Sequence, residues 1–341
     1  MKAAVARKWG EAFVIEDRPT LEPKRGEAVL KVRACGVGLT LLNMRSGRFG
    51  GTTPRIMGHE LGGDIVAVGD GVTNVKVGDR ATVYFYLVCG QCRWCCGGRE
   101  TLCENFAGYV GVHRDGGLAE FVSLPCENYL KIPDALDYES AAVAADAVNT
   151  NWHCMRERAR INPHDNVLLI GAGGGLGLHG IQVARCFGAR VIAADVSDEK
   201  LSAAKQWGAH ETINVRAVTD VAKEVKRLTD QKGVQAAIDY VGHGMTFQSA
   251  IDSLATGGRA VIVGAGRGKV TFDPLALVLN EQIVTGSRHS TRAEFVETME
   301  IMARGLVKAV VGKRVHLTEV ETLFDDLRNE RLLGRGAVTY E

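Results

Sequence analysis

Along the first part of the chain, apolar and polar residues alternate in short runs cut by glycine. Residues 28–32, 62–68 and 80–83 are rich in β-branched side chains and are bounded by Gly, Asp or Pro, the pattern of short strands. They predict a β-rich, partly barrel-like domain. From about residue 166 the period changes. An apolar run at 167–170 is followed by helical spacing over 176–187, with Leu178, Ile181, Ala184 and Phe187 roughly along one face, and then by a second apolar run at 190–195. Further helices are expected near 199–207, 218–228 and 245–254, and further strands near 211–215, 236–240, 259–263 and 282–285. Alternating strand and helix implies parallel βαβ units, and six strands are enough for one doubly wound sheet. A helical stretch at 292–304 and a closing strand at 336–340 are expected to return to the first domain. At 341 residues the chain exceeds one ordinary core. The reading is therefore α/β, with a β-rich domain over 1–138, a doubly wound domain over 139–288, and a return over 289–341.

Charge removes two function classes. With 41 basic against 40 acidic residues there is no electrostatic footprint for nucleic acid or an anionic membrane. No apolar stretch approaches the roughly 18 residues of a membrane span, and the first residues lack the apolar core of a signal peptide, so a cytoplasmic protein is expected. In that compartment nine cysteines are not expected to form a disulfide framework. Their spacing points to metal. Cys89-Gly-Gln-Cys92-Arg-Trp-Cys95 is followed after seven residues by Cys103, within a lobe at 86–106. One loop with this spacing can wrap an ion tetrahedrally with four thiolates, and zinc in a closed four-cysteine site suits it, one per chain. Free thiols and an iron–sulfur site are the alternatives. The Cys96 side chain is expected to point away, and Cys126, Cys154 and Cys186 are expected to pack.

Directly after the run at 167–170 comes Gly171-Ala-Gly173-Gly174-Gly175-Leu176-Gly177, opening the next helix. Strand, glycine turn and helix in this order let backbone approach a pyrophosphate, which then lies against the helix N-terminus. The next strand ends at Asp195, eighteen residues past Gly177, where a carboxylate can bond both ribose hydroxyls of NAD and repel a 2′-phosphate. Lys200 on the following helix is assigned to the same cofactor site. The alternative for Asp195 is a helix N-cap, a role Ser197 can also fill.

Three further motifs, Gly58-His59-Glu60, Val77-Gly78-Asp79-Arg80 and Asp115-Gly116-Gly117-Leu-Ala-Glu-Phe, join the cysteine lobe and the glycine loop. Together they show that the chain resembles, over essentially its whole length, the zinc-containing alcohol dehydrogenases of the medium-chain dehydrogenase/reductase superfamily. The resemblance implies a split catalytic domain of GroES-like fold, an inserted Rossmann domain and a substrate cleft between them. It also implies NAD(H), a small alcohol, carbonyl or conjugated carbonyl as substrate, and a homodimer or homotetramer. In that family a catalytic zinc is held by a cysteine, the histidine of Gly-His-Glu and a second cysteine ahead of the cofactor domain, while a threonine or serine relays the proton.

Here the motif departs. Cys35-Gly-Val-Gly38-Leu39-Thr40-Leu41 stands where the family reads Cys-Gly-Val-Cys-His-Thr-Asp, and Asp146 stands in place of the second cysteine. Of the ligands only His59 remains, with Glu60 beside it and Thr40 retained. Two arrangements are open: a zinc site rebuilt from Cys35, His59 and Asp146, or a metal-free polar cluster of Thr40, His59, Glu60 and Asp146 that gives a proton donor. A metal would favour alcohol–carbonyl chemistry. Hydrogen bonds alone can serve reduction of a conjugated C=C bond, where charge develops on a remote oxygen. A non-catalytic nucleotide-binding protein is the reading from another class. Tyr84 and Phe85 are candidates to line a substrate site, although core packing serves them equally. Surface solvation is the simpler expectation for Arg288, His289 and Arg292.

Overall fold

The computed structural model describes residues 1–340. Two compact units emerge. The first comprises Met1–Asp146, Thr291–Gly305 and the chain from Val311 onward; the second comprises Ala147–Ser290 and Leu306–Val310.

In the first unit the eleven-residue strand Glu27–Val37 organises the main sheet. Glu60–Val68 pairs with it on one side, and the C-terminal strand Arg335–Thr339 pairs with its far end on the other. Gly36 lies opposite Glu60 in one ladder and opposite Ala337 in the other. This register brings three distant sequence segments together around residues 35–37. The sheet continues outward through Arg80–Val83 and Tyr129–Lys131 on one side and Val311–His316 on the other, while Phe121–Pro125 pairs with the early part of Glu27–Val37. A smaller sheet joins Lys2–Ala6 to Val14–Asp17 and Arg55–Ile56.

The short helix Leu39–Arg45 is anchored by a buried cation. Arg45 lies 4.1 Å from the Phe324 ring centre and 4.9 Å from that of Phe13, and pairs with Glu321. Enclosing aromatic faces and a carboxylate make burial of the guanidinium tolerable. Phe324 and Glu321 belong to the helix Val320–Arg328, an element absent from the expected list, as is the strand Val311–His316. That strand alternates only weakly in burial and carries Lys313 and Arg314, so apolar periodicity does not disclose it.

The second unit is a six-stranded, all-parallel sheet. Its spatial order runs Glu211–Asn214, Arg190–Asp195, Asn166–Ile170, Val234–Asp239, Leu254–Ile262, Ile283–Gly286. In chain order this is 3-2-1-4-5-6, the doubly wound arrangement, with the switch point beside Asn166–Ile170. All six expected strands are present, and so are the intervening helices. Boundaries move where caps decide them: Asp220 accepts from the Lys223 N–H and starts its helix at Val221, later than the apolar pattern suggests. The core includes Leu168, Ile170, Ile192, Ala194, Ala237 and Phe247. One packing expectation fails: Cys126 and Cys154 are buried, but Cys186 is exposed at the end of the helix Gly175–Cys186.

The cysteine lobe is closed at its base by pairing of Tyr86–Leu87 with Gly108–Tyr109. Its four sulfurs converge: Cys92 Sγ lies 3.6 Å from Cys95 Sγ and 4.0 Å from Cys103 Sγ, and Cys103 Sγ lies 3.5 Å from Cys89 Sγ. A tetrahedron with Zn–S bonds of about 2.3 Å has S···S edges of about 3.8 Å, so these separations suit zinc. Backbone N–H groups of Gln91 and Cys92 pull the Cys89 thiol down to about 6, whereas burial beside the other sulfurs pushes Cys95 up to about 12. Four thiolates this close require a cation. The fifth cysteine of the lobe, Cys96, is exposed and outside the group. Elemental analysis should find zinc bound here, and Cys92→Ser should empty the site and lower the melting temperature by roughly 5 °C or more. Unchanged zinc content in that variant would contradict the assignment.

Candidate functional site

The register around residues 35–37 builds a buried polar cluster in the first unit. Glu60 opens its strand opposite Gly36, and its side chain fills the space above that glycine, where a Cβ would lie 2.2 Å from Oε2. His59 precedes it and rests against the Phe85 ring, with centroids 4.5 Å apart. Asp146 comes from a wide, π-type turn at Ala144–Val148, an insertion that interrupts regular helix and is common where a side chain is re-aimed for function. Ligand atoms of His59, Glu60 and Asp146 lie within 4.8 Å of one another, and all three residues are buried.

A fourth member is Arg335, at the start of the C-terminal strand. Its Nη2 donates to Asp146 Oδ2 at 2.7 Å and lies 3.1 Å from Glu60 Oε1. The guanidinium is 2% exposed in its side chain, so its charge is balanced by these carboxylates rather than by water. Sequence reasoning missed it. Arginine is rarely buried, and nothing local in Gly-Arg-Gly-Ala-Val announces a partner 189 residues away.

Two carboxylates facing one guanidinium leave an excess negative charge unless a proton is held. Burial pushes the Glu60 carboxyl up to about 8; Arg335 opposes the shift and Asp146 reinforces it. Glu60 therefore holds its proton at neutral pH, beside the Arg335 guanidinium. His59 Nε2 stands 3.8 Å from Asp146 Oδ2 and 3.9 Å from Glu60 Oε1, too far for hydrogen bonds, and neither ring nitrogen has a hydrogen-bond partner among the described residues. A buried imidazole left open in this way can receive a small polar group.

The rebuilt Cys35/His59/Asp146 zinc arrangement is not formed. Successive strand residues face opposite sides. Glu60 lies over Gly36, while the Cys35 sulfur sits against Gly58, where a Cβ would approach it to 2.8 Å. Cys35 is outside the grouped ligands. His59, Glu60 and Asp146 are themselves close enough to hold a cation, with the Arg335 guanidinium 2.7 Å from Asp146 and 3.1 Å from Glu60. Thr40 is half-buried in the first turn of Leu39–Arg45 and joins none of the cluster's hydrogen bonds or ion pairs.

In the second unit, the loop at 171–177 leads into the helix Gly175–Cys186, whose cap Gly174 offers no side-chain bond to its first turn. Gly177 must be small, because a Cβ would lie 2.4 Å from the Gly171 carbonyl oxygen. Asp195 is buried at the end of its strand: Oδ2 accepts from the Gly173 N–H at 2.8 Å and Oδ1 from the Val196 N–H at 2.7 Å. Lys200 Nζ stands 3.9 Å from Oδ1. Ser197, not Asp195, caps the following helix, accepting from the Lys200 N–H. Asp195 and Lys200 thus lie beside Gly173 of the glycine loop, next to the start of the helix Gly175–Cys186.

The secondary candidates sort by burial. Tyr84 and Phe85 are core residues. Arg288 is exposed, but His289 is buried with Nδ1 3.3 Å from Thr150 Oγ1, and Arg292 is half-buried over the Tyr84 ring, so neither is a solvated surface side chain.

Comparison with known proteins agrees with this architecture. Residues 24–134 match the alcohol dehydrogenase GroES-like domain, and residues 175–304 match the zinc-binding dehydrogenase family. Among solved structures, AibC is 35% identical with a TM-score of 0.93, covering 100% of this chain and 96% of its own. An NAD-dependent alcohol dehydrogenase is 32% identical with a TM-score of 0.93 and full coverage of both chains. The alcohol dehydrogenase of Aeropyrum pernix is 30% identical with a TM-score of 0.90, covering 99% of this chain and 100% of its own. With both domain families matched and relatives at this identity over the whole length, the chain belongs to the zinc-type alcohol dehydrogenase family of the medium-chain dehydrogenase/reductase superfamily and is an oxidoreductase of that group.

Proposed function

We propose that this oxidoreductase uses NAD(H) to interconvert a small alcohol and its aldehyde or ketone. The observation that carries the reading is Asp195, a buried carboxylate fixed by the Gly173 and Val196 amides at the end of the second strand of the doubly wound sheet. There it meets a ribose diol and disfavours a 2′-phosphate. One relative carries NAD dependence in its name.

In the reductive direction, hydride passes from the nicotinamide to the carbonyl carbon and a proton must reach the oxygen. Glu60 holds that proton, Asp146 and Arg335 keep their charges paired, and the open His59 nitrogen accepts or relays it. The products are the alcohol and NAD⁺; in oxidation the same groups take the proton back. Residues 1–138 and 289–341, with Asp146 from the start of 139–288, supply this chemistry in the proposal, and the rest of 139–288 the cofactor surface. A second reading, reduction of a conjugated C=C bond in an enal, enone or enoyl thioester, is favoured by one observation: the ligand positions hold Gly38 and Asp146 instead of cysteines, and beside them the Glu60 carboxyl and the Arg335 guanidinium can donate hydrogen bonds.

Asp195→Gly should raise kcat/KM with NADPH relative to NADH by about tenfold or more; an unmoved ratio would mean the ribose contact lies elsewhere. A carboxyl titrating near 8 is protonated below that pH, so carbonyl reduction should fall about tenfold per unit as pH rises past about 8, and Glu60→Gln should abolish that limb. With NADH and cinnamaldehyde, formation of the unsaturated alcohol supports carbonyl chemistry. The saturated aldehyde would establish alkene reduction instead, and no product from this or related substrates would favour nucleotide binding without catalysis.

A further inference from the structure

The helix Asn149–His153 follows the wide turn that carries Asp146, and its first three residues are polar and buried, Asn151 completely so. Burying an amide is costly unless its donors and acceptor are met, and those of Asn151 are. Its Nδ2 donates to the Ala147 carbonyl oxygen at 2.7 Å and to the Leu176 carbonyl oxygen at 2.8 Å, while its Oδ1 accepts from the Tyr240 hydroxyl. The two carbonyls can only accept, which fixes the way round the amide lies. Burial pushes the Tyr240 phenol well above its usual value, so it remains a donor. Tyr240 is itself tied to the head of the sheet: its N–H donates to the Ile170 carbonyl at 3.1 Å, directly before the glycine loop. Gly180, one turn past Leu176, leaves room for this approach, since a Cβ there would lie 2.8 Å from Asn151 Oδ1 and closer still to Tyr240 Oη. All of these residues lie in the second unit.

The two carbonyls that Asn151 holds serve different ends. Ala147 is the residue after Asp146 in the turn Ala144–Val148, and Leu176 lies in the glycine loop, at the second position of the helix Gly175–Cys186. We propose that Asn151 is a positioning residue that fixes the turn carrying Asp146 to the dinucleotide loop, through one amide whose two hydrogens are divided between them. A carboxamide suits the task because it carries two hydrogens on one planar group, where a hydroxyl has one and an aliphatic side chain none. A buried network with every member satisfied rigidifies what it joins. Asn151 touches neither cofactor nor substrate: it keeps the proton-handling carboxylate and the pyrophosphate surface at a fixed separation. Misplacement of either by about an ångström is enough to cost rate.

The kinetic consequence rests on the NAD(H) reading above and the structural one does not, so both are measured. Wild type, Asn151→Val, Asn151→Ser and Tyr240→Phe are compared for amide hydrogen exchange over 144–148 and 171–177 without ligand, for the NADH dissociation constant by fluorescence titration, for kcat and for melting temperature. Asn151→Val removes both donors. Exchange should quicken by about fivefold or more in both segments, with the NADH dissociation constant up by about fivefold or more and kcat down by about tenfold or more. A serine hydroxyl bonds back to the carbonyl four residues earlier, so Asn151→Ser should keep the Ala147 contact and lose the Leu176 one. In that variant exchange should quicken over 171–177 alone, and the dissociation constant should rise as in Asn151→Val while kcat stays within about threefold of wild type. Tyr240→Phe spares both donors and should lower the melting temperature, with the dissociation constant and kcat within about twofold of wild type. Should Asn151→Val fail to fold, Asn151→Ser decides, because a merely stabilising side chain would not separate the dissociation constant from kcat. Unchanged exchange in Asn151→Val, equal losses of affinity and kcat in Asn151→Ser, or a Tyr240→Phe protein as impaired as Asn151→Val would each overturn the proposal. If wild type binds no NADH or turns over no substrate, the cofactor reading fails, while exchange in the two segments still decides what Asn151 holds.

Discussion

A cation buried away from water must be met by negative charge, and the placement of Arg335 follows from that requirement. Its guanidinium is covered by protein and meets Asp146 and Glu60. Those carboxylates arrive from separate elements, one on a wide helical turn and one at the head of a strand. Neither would be stable as an anion in this setting alone, and two anions with a single cation remain out of balance. Burial first, and then the neighbouring Asp146, hold a proton on Glu60 against the pull of Arg335. A group able to give or take a proton near neutral pH thus arises from how three charges are packed, not from any residue type unusual in itself.

Local sequence disclosed those parts of the protein whose causes are local. Cys89, Cys92, Cys95 and Cys103 lie within fifteen residues, so spacing alone shows that one loop can bring them together. The glycine loop and Asp195 are linked by a single βαβ unit whose geometry is nearly invariant. The central parallel strands Asn166–Ile170, Arg190–Asp195 and Val234–Asp239 stand out because they are buried on both faces and read as near-continuous apolar runs. The first unit was harder to read. Its outer strand Val311–His316 mixes charge with valine, and the helix carrying Phe324 and Glu321 earns its place through a contact with Arg45 nearly 280 residues earlier.

The cluster itself was half legible. His59, Glu60 and Asp146 were singled out through motif resemblance, and they do assemble. Cys35 was a plausible ligand by proximity in sequence, but strand alternation sets it on the side opposite Gly36 and Glu60. Arg335 carried no signal at all. Its partners are contributed by ladder register between segments at the two ends of the chain, and register is a property of the folded sheet.

The cysteine lobe ties part of the first unit to metal supply. Neighbouring sulfurs there stand 3.5 to 4.0 Å apart, and the loop is closed at its base by the pairing of Tyr86–Leu87 with Gly108–Tyr109. For such a loop, binding the ion is part of folding. Protein made while zinc is scarce therefore holds the lobe open until the ion arrives.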